Sequence, residues 1–177
     1  MRLDHVAYRV ADRNKTAEFF IQAFDYCIAN EFFPFEDDSV RCYALKPPEK
    51  IYDAMPWQHL YVSVDGKQEV YHTAPEIFVS DGKPGSVVGD WVEHRDGVGG
   101  IHHLAYMVND VAAIMELWKE KGYAEFTTND PLQCPGLVQC FTKPSQLTGI
   151  IYEFIERQGS GFCEKNVKAL MDSTKGL

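Results

Sequence analysis

Hydrophobic and polar residues alternate along two segments that share most of their sequence. Leu3–Asp12 reads LDHVAYRVAD, and Ile101–Asp110, 98 positions further on, reads IHHLAYMVND. Alternation with a period of two is typical of a strand with one buried face. The opposite face carries His5 in the first copy and His103 in the second, and the same alternation points His102 away from His103. In the first strand, the face that carries the histidine consists of His5, Ala7 and Arg9. The repeat predicts two copies of one module.

An amphipathic helix is predicted directly after each repeated strand. Asp12 and Asp110 stand where N-cap residues belong, and Gly122 is placed to end the second helix. Such helices would cover the apolar faces of the strands. The apolar positions at helical spacing are Ala17, Phe20, Ile21 and Phe24 in the first helix and Val111, Ile114, Leu117 and Trp118 in the second.

Short strands are expected to complete each module. In the first module they fall near residues 26–33, 39–45, 59–64 and 75–79, and in the second near residues 123–127, 136–142 and 149–155. Residues 46–56 contain three prolines and predict a loop insertion in the first module.

These elements predict an α+β fold built as a single domain over residues 1–177. Two βαβββ modules, residues 1–80 and 101–157, would pair into one cup-shaped mixed sheet. A helical joint over residues 81–100 would connect them, and an amphipathic tail helix would lie within residues 158–177. The faces opposite the helices would point into the cup, so His5 and His103 are expected to line it.

Two carboxylates are candidates to join these histidines in a metal site. Glu153 stands alone on the apolar strand IIYEFI, and such a group is costly to bury unless it is paired or bound to a metal. If the two modules are equivalent, the residue that corresponds to Glu153 in the last strand of the first module is Glu76. Two histidines and one carboxylate form the facial triad of oxygen-activating iron, whereas a second carboxylate suits a redox-silent Lewis acid. The donor set predicts a divalent metal, and Fe(II), Mn, Co, Ni and Zn all suit it.

Composition and charge narrow the choice of partners. The net charge is −9 and no basic cluster occurs, which argues against nucleic acid as a partner. No apolar run approaches the ~20 residues that span a bilayer, and no signal pattern opens the chain. The five cysteines lack CxxC spacing, so we expect reduced thiols and a cytoplasmic protein.

The repeated HxAYxVxD strands resemble the vicinal oxygen chelate superfamily, which includes glyoxalase I, methylmalonyl-CoA epimerase and 4-hydroxyphenylpyruvate dioxygenase. From about Trp91 onward, the sequence looks most like the catalytic half of the dioxygenase. Four stretches carry this closer resemblance: DWVEHRDGVGGIHHLAYMVNDV, GLVQCFTKPSQ, IIYEFIERQGSGF and KNVKAL.

The resemblance implies a set of site residues. His5, His103 and Glu153 would bind iron. Gln139 and Phe141 lie two residues apart, so they would point the same way on one strand. The resemblance implies that both contact the substrate, Phe141 by stacking on its ring. Phe162 would help to close the cavity. The implied substrate is a small 2-keto acid that chelates the iron, and homodimers are common in the superfamily.

Glu76 opens a second interpretation. As a ligand or base it would give the 2-His-2-Glu site of a glyoxalase-type or epimerase-type isomerase or lyase, which moves a proton next to a carbonyl. A third interpretation is a metal-free protein that sequesters a flat ligand, as the antibiotic-resistance members of the superfamily do.

Overall fold

The computed structural model describes residues 1–48, 59–64, 67–72, 75–158 and 162–177. Within these ranges the chain forms ten strands and four helices. The strands are β1 (Arg2–Val10), β2 (Cys27–Phe32), β3 (Val40–Lys46), β4 (His59–Val64), β5 (Lys67–His72), β6 (Glu76–Gly82), β7 (Gly99–Met107), β8 (Leu132–Cys134), β9 (Leu137–Phe141) and β10 (Ile151–Arg157). The helices are α1 (Arg13–Phe24), α2 (Val87–Glu93), α3 (Val111–Lys121) and α4 (Glu164–Ser173).

Eight of the strands form one mixed, curled sheet in the order β2-β3-β6-β1-β7-β10-β9-β8. The two repeated strands, β1 and β7, pair antiparallel at its centre. On either side, the last strand of each module runs parallel to the first, with β6 beside β1 and β10 beside β7. The predicted α+β class, with one cup-shaped mixed sheet, is confirmed.

The helices begin and end where the capping residues predict. The Asp12 carboxylate accepts hydrogen bonds from the backbone N–H groups of Asn14 and Lys15, and Asp110 accepts one from Ala113. Gly122 ends α3 in the left-handed conformation. Helices α1 and α3 cover the outer face of the sheet. Their buried clusters are Val10, Ala17, Leu45, Ile77 and Val79 for α1, and Val108, Val111, Met115, Cys140 and Phe154 for α3.

Helices α2 and α4 pack on the inner face of the sheet, within the predicted joint and tail. The buried residues that join them to the sheet are Ala7, Phe78, Val88, Trp91, Val92, Val167 and Met171. Apolar side chains of α2 and α4 therefore cover part of the inner face of the sheet. Among the described residues, no helix has the length and apolar character needed to cross a bilayer.

Two predicted strands differ from the structure. Residues 59–64 form a strand, but it pairs with β5 in a separate hairpin instead of joining the main sheet. The first-module insertion therefore includes this hairpin, and residues 49–58 lie outside the described part of the chain. The strand predicted near residues 123–127 is reduced to a bridge between Phe126 and Thr142, and β8 takes the edge position.

A disulfide joins the sheet edge to the start of the tail helix. Cys134 in β8 is bonded to Cys163, the residue before α4, with their Cα atoms 6.5 Å apart. The expectation that all five cysteines are reduced is therefore wrong for this pair. Cys27, Cys42 and Cys140 are free thiols.

Gly99 determines how closely β1 and β7 approach. It lies opposite Val10 with a φ of +82°, and an added Cβ would lie 2.1 Å from the carbonyl oxygen of Arg9. We expect Gly99→Ala to lower the free energy of unfolding by about 3 kcal/mol or more, because left-handed strain and a backbone clash add together. Chemical denaturation followed by circular dichroism would measure the loss.

Gly97→Ala is the matched control. Gly97 also has a positive φ, +72°, but an added Cβ would meet nothing within 4 Å. This variant should lose only the strain component, about 1–2 kcal/mol. Equal losses in the two variants would refute the close approach at Gly99.

Candidate metal centre

Three buried side chains meet at the centre of the sheet, one from each of three neighbouring strands. His5 comes from β1, His103 from β7 and Glu153 from β10, and they are 1%, 8% and 1% exposed. The Nε2 atoms of the histidines are 3.3 Å apart. The Oε2 atom of Glu153 lies 3.2 Å from Nε2 of His5 and 3.0 Å from Nε2 of His103. The structure thus brings together all three residues that the sequence proposed as ligands.

The donor atoms of this cluster fit a divalent cation. One donor atom from each residue lies within 4.8 Å of the others. Two imidazole nitrogens and one carboxylate oxygen converge on one buried point, and this donor set suits Fe(II), Mn, Co, Ni or Zn. A buried carboxylate beside two nitrogen lone pairs is the arrangement that a shared cation stabilises.

By themselves the protein groups of the cluster form an ion pair. Burial acts to lower the pKa of His5, but the Glu153 carboxylate and the hydrogen bond that Nδ1 of His5 donates to Asp4 outweigh it and raise this pKa to about 9. At His103, burial prevails over the attraction of Glu153, and its pKa is lowered. Burial acts to raise the pKa of Glu153, but the two histidines bring it well below its ordinary value. A metal would therefore displace the proton of His5.

A β-bulge in β1 places Asp4 against the far side of the His5 ring. The pairing with β7 shifts between Leu3 and His5 and leaves Asp4 as the extra residue. Its Oδ1 atom lies 2.8 Å from Nδ1 of His5 and also contacts the guanidinium of Arg157. A carboxylate that accepts the Nδ1 proton leaves the Nε2 lone pair free for a metal.

A second bulge, in β7, does the same for His103. Ala7 lies opposite His103 and Tyr8 opposite Ile101, so His102 is the extra residue. Its Nδ1 atom lies 2.9 Å from Nδ1 of His103. The prediction that His102 points away from His103 is wrong, because the bulge interrupts the alternation and both residues line the same cavity.

The strand register corrects the match between Glu76 and Glu153. Glu153 lies beside the residue two places after the histidine of its module, and in the first module that position is held by Phe78. Glu76 lies beside His5 itself, and its Oε2 atom is 3.7 Å from Nη2 of Arg157. The predicted correspondence is therefore wrong by two positions. Within the described residues the candidate metal cluster has three members, His5, His103 and Glu153, and the catalytic role of Glu76 stays a prediction.

Gln139 holds the carboxylate in place. Its Nε2 atom donates to Oε1 of Glu153 at 2.6 Å, and its Oε1 atom accepts from Nδ2 of Asn166 at 3.2 Å. Gln139 is 1% exposed. Because Gln139 is hydrogen-bonded to Glu153, the substrate contact predicted for Gln139 would lie next to this proposed metal ligand.

Aromatic rings enclose the histidines. Phe141 lies 4.6 Å from the His103 ring and Phe162 lies 5.0 Å from the His5 ring, measured between centroids. Both line the cavity with Leu170 and Met171 of α4. The free space is about 30 Å³, room for about two water molecules, so a larger ligand must displace side chains.

Arg9 also faces the cavity, although the sequence did not indicate a role for it in the site. It is 2% exposed and lines the same cavity. Its Nη2 atom donates to Oγ1 of Thr174 at 2.9 Å, and its Nη1 atom lies 3.5 Å from the carbonyl oxygen of Val87. Burial lowers its pKa to about 9. The alternation of β1 could have identified Arg9, because it places this residue on the same face of the strand as His5.

Comparisons with known proteins agree with this architecture. A family model described as the Glyoxalase/Bleomycin resistance protein/Dioxygenase superfamily matches residues 4–133, more than half of the chain. No curated protein sequence matches the chain.

Solved structures of methylmalonyl-CoA epimerases share the fold. A selenomethionine-labelled epimerase superposes with a TM-score of 0.65 at 19% identity, covering 90% of this chain and 97% of the other. A Streptomyces coelicolor epimerase variant in complex with 2-nitronate-propionyl-CoA gives 0.62 at 20% identity, covering 90% and 99%. The Mycobacterium tuberculosis epimerase gives 0.63 at 20% identity, covering 89% of each chain.

These structures are epimerases, whereas the sequence predicted a closer likeness to the catalytic half of a dioxygenase. At this level of identity they show the fold alone. The paired modules and the match over residues 4–133 establish the family: the chain belongs to the glyoxalase, bleomycin resistance protein and dioxygenase superfamily, which is also called the vicinal oxygen chelate superfamily.

Proposed function

We propose that the protein is a divalent-metal enzyme whose small-molecule substrate chelates the ion through two adjacent oxygen atoms. The observation that carries the proposal is the convergence of His5, His103 and Glu153 on one buried point. When bound there, the ion would supply Lewis-acid stabilisation of negative charge on the substrate or, if it is iron, oxygen activation.

The residues around the ligands orient them and shield them from bulk solvent. Asp4 and His102 fix the Nδ1 atoms of the two histidines, and Gln139 fixes the carboxylate. Such outer partners determine the orientation and basicity of metal ligands. Phe141 and Phe162 exclude water from the histidines, which strengthens electrostatic interactions in the cavity.

The ligand set favours an Fe(II) dioxygenase that acts on a small 2-keto acid. In the first module, the strand position that corresponds to Glu153 is held by Phe78, which cannot bind a metal. Three protein ligands leave room for a chelating keto acid and for dioxygen, as in facial-triad enzymes. Within the described lining of the cavity, Glu153 is the sole carboxylate, so a second carboxylate base is lacking there.

The fold neighbours favour a second candidate, an epimerase-type isomerase or lyase. The reported structures with a named function are methylmalonyl-CoA epimerases, and this chain covers 89–99% of their lengths. In this reaction a side chain would remove a proton next to a carbonyl group. Glu76 is the candidate base, and it would have to act from the rim, where it is 26% exposed.

Metal binding should release a proton. Because the pKa of His5 is raised to about 9, this residue carries a proton at neutral pH that the metal must displace. We expect one zinc ion per chain, about one proton released at pH 7.5, and an apparent affinity that rises up to about tenfold per pH unit until about pH 9. Calorimetric titration in two buffers of different ionisation enthalpy measures both quantities.

His103→Ala should abolish this binding, whereas the control His94→Ala should not. His94 is an exposed histidine at the end of α2, away from the cluster. Binding with unchanged affinity in His103→Ala, or equal loss in both variants, would refute the proposed centre.

Oxygen uptake and proton exchange distinguish the two reactions. The three-ligand centre predicts oxygen consumption that requires both Fe(II) and a 2-keto acid, and that survives Glu76→Ala because Glu76 is not a ligand. An oxygen electrode and a panel of 2-keto acids provide the measurement. The isomerase predicts no oxygen uptake, but metal-dependent deuterium incorporation into methylmalonyl-CoA that Glu76→Ala abolishes. Absence of both activities from a metal-loaded protein would contradict both candidates.

A further inference from the structure

A buried cation faces the same cavity as the proposed metal ligands. Arg9 donates to a hydroxyl and approaches a backbone carbonyl, and its guanidinium lies 5.7 Å from the Trp91 ring centroid. Within the described residues, no carboxylate lies within ion-pair distance of Arg9. A buried charge that has only neutral partners is costly unless a ligand of opposite charge completes the site.

Arg9 and the metal ligands lie along one line of the cup. Arg9 follows His5 by four residues on the same face of β1, about 13 Å of extended chain. His103 lies opposite Ala7, and the bulged His102 comes next in the direction of Arg9. A ligand that extends from the ion toward Arg9 would therefore pass His102.

His102 offers an unused hydrogen-bonding atom at this intermediate position. The residue is 5% exposed and lines the cavity, and its Nε2 atom has no hydrogen-bond partner among the described residues. If His103 binds a metal through Nε2, its Nδ1 carries the proton and donates to Nδ1 of His102. His102 then holds its own proton on Nε2, where it is a donor to an oxygen atom in the cavity.

The charges of the cavity also call for an anion. Glu153 contributes one negative charge, Arg9 one positive charge and a bound divalent ion two positive charges, while coordinating histidines are neutral. The cavity would thus hold an excess of two positive charges in an apolar surrounding. A ligand with two negative charges would balance them.

We propose that Arg9 is the anion-binding residue of the substrate pocket and that the substrate carries a second, distal carboxylate. The chelating end of this dicarboxylate would occupy the metal, the Nε2–H of His102 would donate to an oxygen atom beside it, and the distal carboxylate would pair with Arg9. The inference rests on the proposed function, because it presumes chelation at His5, His103 and Glu153.

Two keto acids of equal length test the inference on zinc-loaded protein. 2-Oxoglutarate and 2-oxopentanoate share the chelating group and differ in the distal carboxylate, which is a methyl group in the second compound. We expect calorimetry to show that 2-oxoglutarate binds roughly 10- to 100-fold more tightly. Arg9→Met should reduce this preference to about twofold or less, and Arg9→Lys should retain part of it because the charge remains.

Arg95→Met is the matched control. Arg95 is exposed, and its guanidinium lies 3.6 Å from the centroid of the same Trp91 ring, but it does not line the cavity. This variant should keep the full preference for 2-oxoglutarate. Unchanged zinc stoichiometry and 2-oxopentanoate affinity show that each variant is folded.

The outcomes separate this inference from the proposed function. Equal affinity for both keto acids in the wild-type protein would refute the Arg9 subsite while leaving chelation intact. A preference that persists in Arg9→Met would also refute it, because another group would then bind the carboxylate. If neither keto acid binds, chelation fails and the inference falls with it.

Discussion

The buried carboxylate of Glu153 between two imidazoles is the constraint on which the site depends. A carboxylate that is 1% exposed persists only if positive charge or hydrogen bonds surround it. The paired strands supply these from three sides, through His5, His103 and Gln139. Because the two modules each contribute one histidine, the site exists only when both halves of the sheet are joined.

The residues at the two bulges give the two histidines different neighbours. Each bulge places the preceding residue against Nδ1 of a histidine of the candidate cluster, but that residue is Asp4 in one module and His102 in the other. A carboxylate makes the His5 ring more basic, whereas an imidazole leaves a second nitrogen available to the cavity. In the proposed function, this asymmetry gives Asp4 a role beside a metal ligand and leaves His102 a nitrogen that can face the substrate.

The sequence was sufficient for the fold class, because strand alternation and capping by Asp12 and Asp110 are local signals. It also proposed the three residues that the structure brings together. It misplaced His102, because a bulge breaks a period-two pattern without leaving a mark in the sequence. It matched Glu76 to Glu153 because an insertion that includes a hairpin hides the register. The disulfide escaped notice because its cysteines are 29 residues apart and meet only in the fold.

The position of a bound metal tests the central claim most directly. Crystals of zinc-loaded protein, with diffraction recorded at the zinc absorption edge, locate the ion without assumptions about its ligands. We predict one anomalous peak about 2.0–2.2 Å from Nε2 of His5, Nε2 of His103 and a carboxylate oxygen of Glu153. A peak elsewhere, or zinc-loaded crystals in which these three side chains still contact only each other, would contradict it.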